Sequence, residues 1–168
     1  LAVLFLYSYT KRFTSLCHLV LGFGIGLAPV GAWVAITGGL DARILLLSFA
    51  LMAYITGFDI LYSCQDIAFD RKEALFSMPA RWGAQRALLF SKGLHAATFA
   101  FLFAVYPAFD LGRAYLIFLV LIGMLLFAEH RIVRPDCLDN VNIAFFHMNS
   151  AVSVLLFLGI LAGTWWSA

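Results

Sequence analysis

The chain has 168 residues, of which 64% are hydrophobic and 12% are charged, and its mean hydropathy is +0.96. A soluble domain is closer to half apolar and a quarter charged, so the composition indicates an integral membrane protein surrounded by the lipid bilayer. The net charge of +2, without a basic run among aromatics, argues against a nucleic-acid partner.

Apolar stretches separated by polar connections predict an all-α, multi-spanning transmembrane helix bundle. Residues 1–9 have the pattern of the end of a helix, and about five full spans are predicted at 16–37, 44–57, 87–109, 114–127 and 141–166. We expect a single membrane domain over residues 1–168. Because the sequence opens at Leu1 inside an apolar run, we also expect an N-terminal truncation, with this chain as the C-terminal part.

The basic residues predict the orientation of the chain in the membrane. Two of them lie on the connections of one side, Arg43 and Arg113, and nine lie on the other. By the positive-inside rule, the side with nine is cytoplasmic in an inner or plasma membrane. These nine are Lys11, Arg12, Arg71, Lys72, Arg81, Arg86, Lys92, Arg131 and Arg134.

One short stretch, DILYSCQDIAFDRKE at 59–73, contains four of the nine acidic residues. If it is helical, four carboxylates and one phenol fall within an arc of about 80°. Aligned like charges destabilise a helix unless they are neutralised, and Mg²⁺ with additional phosphate oxygens suits such ligands. The five residues are Asp59, Tyr62, Asp66, Asp70 and Glu73.

Two other interpretations of the acidic stretch remain open. It could be a solvated helix end whose carboxylates pair with Arg71, Lys72 and nearby loops. It could also belong to an ion or proton pathway, which predicts acidic or histidine partners deep inside other spans. The predicted spans 44–57 and 114–127 have no charged interior residue, and the histidines lie near span ends or among aromatics.

The segment DILYSCQDIAFD has the pattern D-x-x-Y-x-x-x-D-x-x-x-D. It resembles the second aspartate-rich motif of the UbiA superfamily of intramembrane prenyltransferases, and the 4-hydroxybenzoate polyprenyltransferases in particular. YSYTK at 7–11 resembles the family's Y-x-x-x-K element, and FHMNS near Asn149 resembles the start of its last helix. The order and spacing of these elements extend over essentially the whole chain.

The sequence departs from the family pattern in two places. Ala74 stands where the family commonly has Gly, and we expect this to shift only the turn. The family's first aspartate-rich motif, N-D-x-x-D-x-x-x-D, is absent from the chain. The resemblance therefore implies part of a nine-helix fold, and we expect the chain alone to be inactive.

The resemblance implies Mg²⁺-dependent transfer of a polyprenyl group from polyprenyl diphosphate to an aromatic acceptor. It favours 4-hydroxybenzoate as acceptor, in ubiquinone or menaquinone biosynthesis. A naphthoate, a haem or a chlorophyllide is the nearest alternative acceptor. A protein of another class would be non-catalytic and would use the aspartates for ion handling or partner binding.

The same resemblance assigns roles to residues on the diphosphate side of the reaction. Asp66 and Asp70, one helical turn apart, are the expected Mg²⁺ ligands. Lys11 and Arg12 are expected to bind the departing diphosphate. Arg12 has an alternative role, in which it holds the carboxylate of the aromatic acceptor.

Three further residues are assigned to the organic partners. The ring face of Tyr62 or Tyr7 is expected to stabilise the allylic cation. Asp59 is expected to orient the acceptor or Tyr62, or to assist loss of the ring proton.

Overall fold

A computed structural model describes residues 2–134 and 144–165, which are almost entirely helical. Five helical segments of this part are long and apolar enough to cross a membrane: Cys17–Thr37, Ile44–Lys72, Ala84–Ala108, Ala114–Ile132 and Phe146–Trp165. The predicted all-α transmembrane bundle is confirmed. Of the predicted last span, residues 141–143 and 166 lie outside the described residues.

The helices follow one another in chain order with short connections. They are α1 Ala2–Thr10, α2 Cys17–Gly26, α3 Ala28–Thr37, α4 Ile44–Ser63, α5 Ile67–Lys72, α6 Met78–Trp82, α7 Ala84–Ala108, α8 Ala114–Ile132 and α9 Asn149–Trp165. A 3₁₀ turn, Cys64–Asp66, connects α4 to α5, and a π-helical turn, Ala144–Met148, precedes α9.

Helix α4 lies at the centre of the bundle, packed against α2 and α7, while α8 packs against α7 and α9. The main core cluster includes Tyr54 of α4, Leu102 of α7 and Tyr115 of α8. The buried phenol of Tyr115 donates a hydrogen bond of 2.8 Å to the Leu102 carbonyl, which satisfies its polar atom inside the apolar core.

The predicted span 16–37 is two helices that meet at Leu27. Pro29 stands in the first turn of α3 and has no N–H to donate to the preceding turn, so the helical ladder is interrupted there. In α2, close packing requires glycine. A Cβ added to Gly22 would lie 2.6 Å from the backbone carbonyl oxygen of Met52 in α4.

Two predicted span ends are wrong. The helical segment that begins at Ile44 continues to Lys72, and α8 continues to Ile132 instead of ending at 127. Both extensions carry acidic residues whose partners lie on other helices of the bundle. Glu129, which lies beyond the predicted span end at 127, is only 1% exposed within α8.

Candidate active site

The aspartate-rich stretch is the continuation of α4 through the 3₁₀ turn into α5. A 3₁₀ turn advances about 120° per residue against about 100° in an α-helix, so three residues rotate the following helix by about 60°. The arc that holds the five residues therefore widens from about 80° to about 140°, and the face is less uniform than expected. Asp70 is fully buried, whereas Glu73 is exposed and takes no part in the site.

Asp70 is brought against the end of α1. Its Oδ1 lies 2.9 Å from the Lys11 ammonium, and the side chains are 0% and 29% exposed. The ammonium thus compensates Oδ1, whereas the second carboxylate oxygen, Oδ2, has no hydrogen-bond partner within the described part of the chain. The Y-x-x-x-K element and the aspartate-rich stretch, which lie far apart in sequence, therefore meet in space.

Asp59 is bound by a histidine that the sequence analysis did not include in the site. His18 of α2 places Nδ1 2.6 Å from Asp59 Oδ2, and its Nε2 lies 3.2 Å from the Met78 backbone nitrogen. Since the Met78 N–H donates to Nε2, the proton of the neutral imidazole belongs on Nδ1, where it is donated to Asp59. Through these two contacts, His18 connects α2 to α4 and to the start of α6.

The remaining motif residues surround these two pairs. Asp66 is partly exposed and lies close enough to Lys11, Asp70 and Asp59 to interact electrostatically with them. Tyr7, also partly exposed, lies close enough to the Asp59 carboxylate to interact electrostatically with it.

Tyr62 and Arg12 are the other two residues that the sequence assigns to the site. Tyr62 packs beside a second buried cluster that contains Leu61 and Met78. The guanidinium of Arg12 is exposed, and no ion pair of its side chain occurs within residues 2–134 and 144–165. The structure therefore brings Lys11 into contact with the aspartate motif and leaves Arg12 at its margin.

The loop after α5 is held against the site by its backbone. Phe76 N–H donates to the Lys11 carbonyl over 2.7 Å, and Leu75 N–H donates to the Asp70 carbonyl over 2.7 Å. Ala74 has φ of 52°, a left-handed conformation that glycine adopts at lower cost. A glycine at this position, as in the family pattern, would relieve that cost.

The acidic residues present suit a hard divalent cation. A buried carboxylate whose oxygens lack hydrogen bonds carries a desolvation cost that an oxygen-preferring cation relieves. The Oδ2 atom of Asp70 is in this state, and the partly exposed Asp66 is the nearby second carboxylate. These two residues could hold Mg²⁺, while Lys11 supplies positive charge from the facing helix end.

His18 and the Met78 amide are the functional groups that sequence reasoning missed. A lone histidine in an apolar helix resembles an ordinary packing residue, and a backbone amide has no sequence signal. The available clue was position, because His18 lies only seven residues after Lys11, at the start of α2, and so at the same end of the bundle.

Residues 1–151 match the model of the UbiA prenyltransferase family. The chain belongs to this family. A UbiA homologue from Aeropyrum pernix K1, solved in its apo form, superposes with a TM-score of 0.83 at 30% identity, covering 97% of this chain and 61% of that one. The fold and the order of its helices are thus those of UbiA proteins.

Curated relatives agree with this membership. The chain is 25% identical to the 4-hydroxybenzoate octaprenyltransferase of Vibrio parahaemolyticus over 165 residues, which are 98% of this chain and 57% of the relative. It is 27% identical to the enzyme of the same name from Yersinia pseudotuberculosis over the same shares. It is 35% identical to the polyprenyl transferase yanG of Aspergillus niger over 98 residues, 57% of this chain and 29% of the relative. The chain thus spans less than two thirds of the length of these relatives.

Proposed function

We propose that the complete protein transfers a polyprenyl group from polyprenyl diphosphate to 4-hydroxybenzoate in ubiquinone or menaquinone biosynthesis. The observation that carries the proposal is the meeting of the buried Asp70 with Lys11 at one helix end. This pairing joins the two motifs that the reaction needs, one for the cation and one for the diphosphate. Family membership and the two octaprenyltransferase relatives favour the acceptor.

The leaving diphosphate needs its charge neutralised. Mg²⁺ held by Asp66 and Asp70 would supply that charge when bound. The Lys11 ammonium lies 2.9 Å from Asp70 Oδ1 and would donate N–H bonds to the phosphate oxygens. Arg12 follows Lys11 and, being exposed, is free to bind either the diphosphate or the acceptor carboxylate.

The acceptor side is organised by the Asp59 cluster. His18 donates to Asp59 Oδ2 and holds the carboxylate in one orientation, leaving Oδ1 for the acceptor hydroxyl or the departing ring proton. Tyr7 lies beside Asp59, where its ring face would shield the allylic cation from water. Tyr62, on the next turn of α4, is the second aromatic candidate for this role.

The test is prenyl transfer by membranes that contain the full-length gene product. They receive labelled polyprenyl diphosphate and 4-hydroxybenzoate, with Mg²⁺ or with excess chelator. A labelled lipid product that disappears with chelator supports the proposal. Diphosphate release with a naphthoate, haem or chlorophyllide instead would move the assignment to another acceptor, and no release with any acceptor would contradict catalysis.

Asp66→Asn and Asp70→Asn test the ligand assignment in the same assay. Each substitution removes a charged oxygen ligand with little change of volume, and we expect a loss of at least about 100-fold in the transfer rate. Glu73→Gln is the matched control, because Glu73 is exposed and outside the site, and should transfer at the unaltered rate. Unchanged rates in both aspartate variants would refute the assignment.

A further inference from the structure

A second cluster of chemically active side chains lies between α7 and α8, and the proposed reaction does not use it. His95 of α7 and Glu129 of α8 are 2% and 1% exposed. His130 Nε2 lies 3.0 Å from His95 Nδ1, and Glu129 Oε2 lies 3.3 Å from the same nitrogen. One potential ligand atom from each of the three residues lies within 4.8 Å of the others.

Hydrogen bonds among these three side chains cannot satisfy all of their polar atoms. His95 Nδ1 faces a ring nitrogen and a carboxylate oxygen, and one nitrogen carries at most one proton to share between them. The other carboxylate oxygen, Glu129 Oε1, is buried without a hydrogen-bond partner among the described residues. A buried carboxylate in this state is costly, and a cation bound at the point of convergence would interact with all three groups.

We propose that His95, Glu129 and His130 bind one Zn²⁺ or a similar borderline divalent transition-metal ion. Two imidazoles with one carboxylate form a ligand set typical of zinc sites that keep an open fourth position. Ligands about 2.0–2.1 Å from a tetrahedral metal are about 3.3–3.4 Å apart, and the contacts of 3.0 and 3.3 Å to His95 are close to this. The third distance, between the ligand atoms of Glu129 and His130, is within 4.8 Å and must shorten by up to about 1.4 Å when the ion binds. The nitrogen ligands distinguish the site from the all-oxygen Mg²⁺ ligands at Asp66 and Asp70.

The central ligand is held in place by its neighbours. A Cβ added to Gly57 of α4 would lie 2.6 Å from His95 Cδ2, so the imidazole packs directly on the α4 backbone. The Tyr54 ring stacks on the imidazole with centroids 5.6 Å apart. Metal sites gain affinity when the ligand rotamers are fixed in advance, and this ring has little freedom to move.

The site also has a route of entry. His130 lines an open cavity of about 470 Å³ between the start of α7 and the end of α8. The cavity carries Arg86, Lys92 and Arg134, so a fourth ligand that enters from it would be an anion or hydroxide. The bound ion would fasten α7 to α8, a role that is independent of the proposed prenyl transfer.

The test is the metal content of the full-length protein, purified in detergent without a polyhistidine tag and dialysed against Mg²⁺. We expect about one zinc per chain by mass spectrometry. His95→Gln and Glu129→Gln should each weaken zinc binding by at least about 100-fold. His147→Gln is the matched control, since His147 is exposed outside the cluster, and should retain zinc.

A second measurement does not depend on whether the variants fold. Unaltered protein loaded with Co²⁺ should show the intense visible absorption of a four-coordinate ion, and Zn²⁺ should displace it while Mg²⁺ should not. Absence of stoichiometric zinc together with absence of this absorption would overturn the proposal, and the cluster would then be a proton-sharing triad. Equal loss of zinc in His147→Gln would overturn it as well.

Discussion

The ion pair between Lys11 and Asp70 is the contact on which the candidate active site depends most directly. Its carboxylate is 0% exposed, so removal of the lysine leaves a buried charge without its partner. We expect Lys11→Met to lower the free energy of unfolding by about 3 kcal/mol. The measurement is thermal unfolding of the full-length protein in detergent.

The double variant Lys11→Met/Asp70→Asn is the control for this prediction. It removes both charges, so most of the lost stability should return although transfer activity should not. If the double variant is as unstable as the sum of the two single variants, Lys11 and Asp70 do not interact energetically.

The two nitrogens of His18 have separable roles, which a pair of amide substitutions can distinguish. The side-chain amide of Asn occupies the place of Nδ1 and can donate to Asp59, whereas Gln reaches the place of Nε2 and can only meet the Met78 N–H. We expect His18→Asn to retain about tenfold more transfer activity than His18→Gln. Equal activities, with equal thermal stabilities, would remove the orienting role of His18 on Asp59.

At the scale of single residues, the sequence indicates which side chains are candidates for the site, but it does not indicate which groups those side chains contact. Asp59, Asp66, Asp70 and Lys11 could be assigned because their spacing is characteristic of a motif. Their contacts could not, because the ion pair with Lys11 and the hydrogen bond from His18 join helices that are distant in the chain. The role of Ala74 likewise depends on a backbone angle that composition does not indicate.

At the scale of elements, the packing of α2 on α4 depends on small residues. A Cβ at Gly22 would lie 2.6 Å from the Met52 carbonyl oxygen, and backbone atoms cannot move aside cheaply. We expect Gly22→Ala to lower the free energy of unfolding by about 1–3 kcal/mol, measured by thermal unfolding. Gly31→Ala is the matched control, because a Cβ there meets nothing within 4 Å, and should be neutral or slightly stabilising. Equal losses in the two variants would show that helix packing is not the cause.

The number and type of the spanning elements followed from hydropathy, but two of their ends did not. Hydropathy marks where a chain stops being apolar, and it therefore predicted ends near residues 57 and 127. Helix α8 continues because Glu129 and His130 have a partner on α7. The helix from α4 continues because Asp59 has a partner on α2 and Asp70 has one directly after α1. Paired polar groups can extend a membrane helix beyond its apolar segment.

At the scale of the whole molecule, the orientation in the membrane is a prediction from the basic residues. The cysteines introduced by Glu73→Cys and by Arg113→Cys, in separate variants, should react with a membrane-impermeant thiol reagent from opposite sides, the first only from the cytoplasm. Native Cys17 and Cys64 are 1% exposed and should stay unlabelled, and Cys137, outside the described residues, is replaced by Ser. Labelling of the Glu73→Cys variant from outside intact cells would reverse the predicted topology.

The hydrogen bond between His18 and Met78 has a consequence for the synthesis and membrane insertion of the protein. These residues are 60 positions apart, and His18 and Asp59 are 41 apart. At a synthesis rate of about 5–20 residues per second, roughly 3–12 s pass between the synthesis of His18 and that of Met78. For about the first 2–8 s, while the 41 residues up to Asp59 are added, neither Asp59 nor Asp70 exists, so water at the end of the helices must solvate Lys11 and His18. Stepwise insertion therefore requires, as the proposed chemistry does, that Lys11 and His18 lie at the end of the helices.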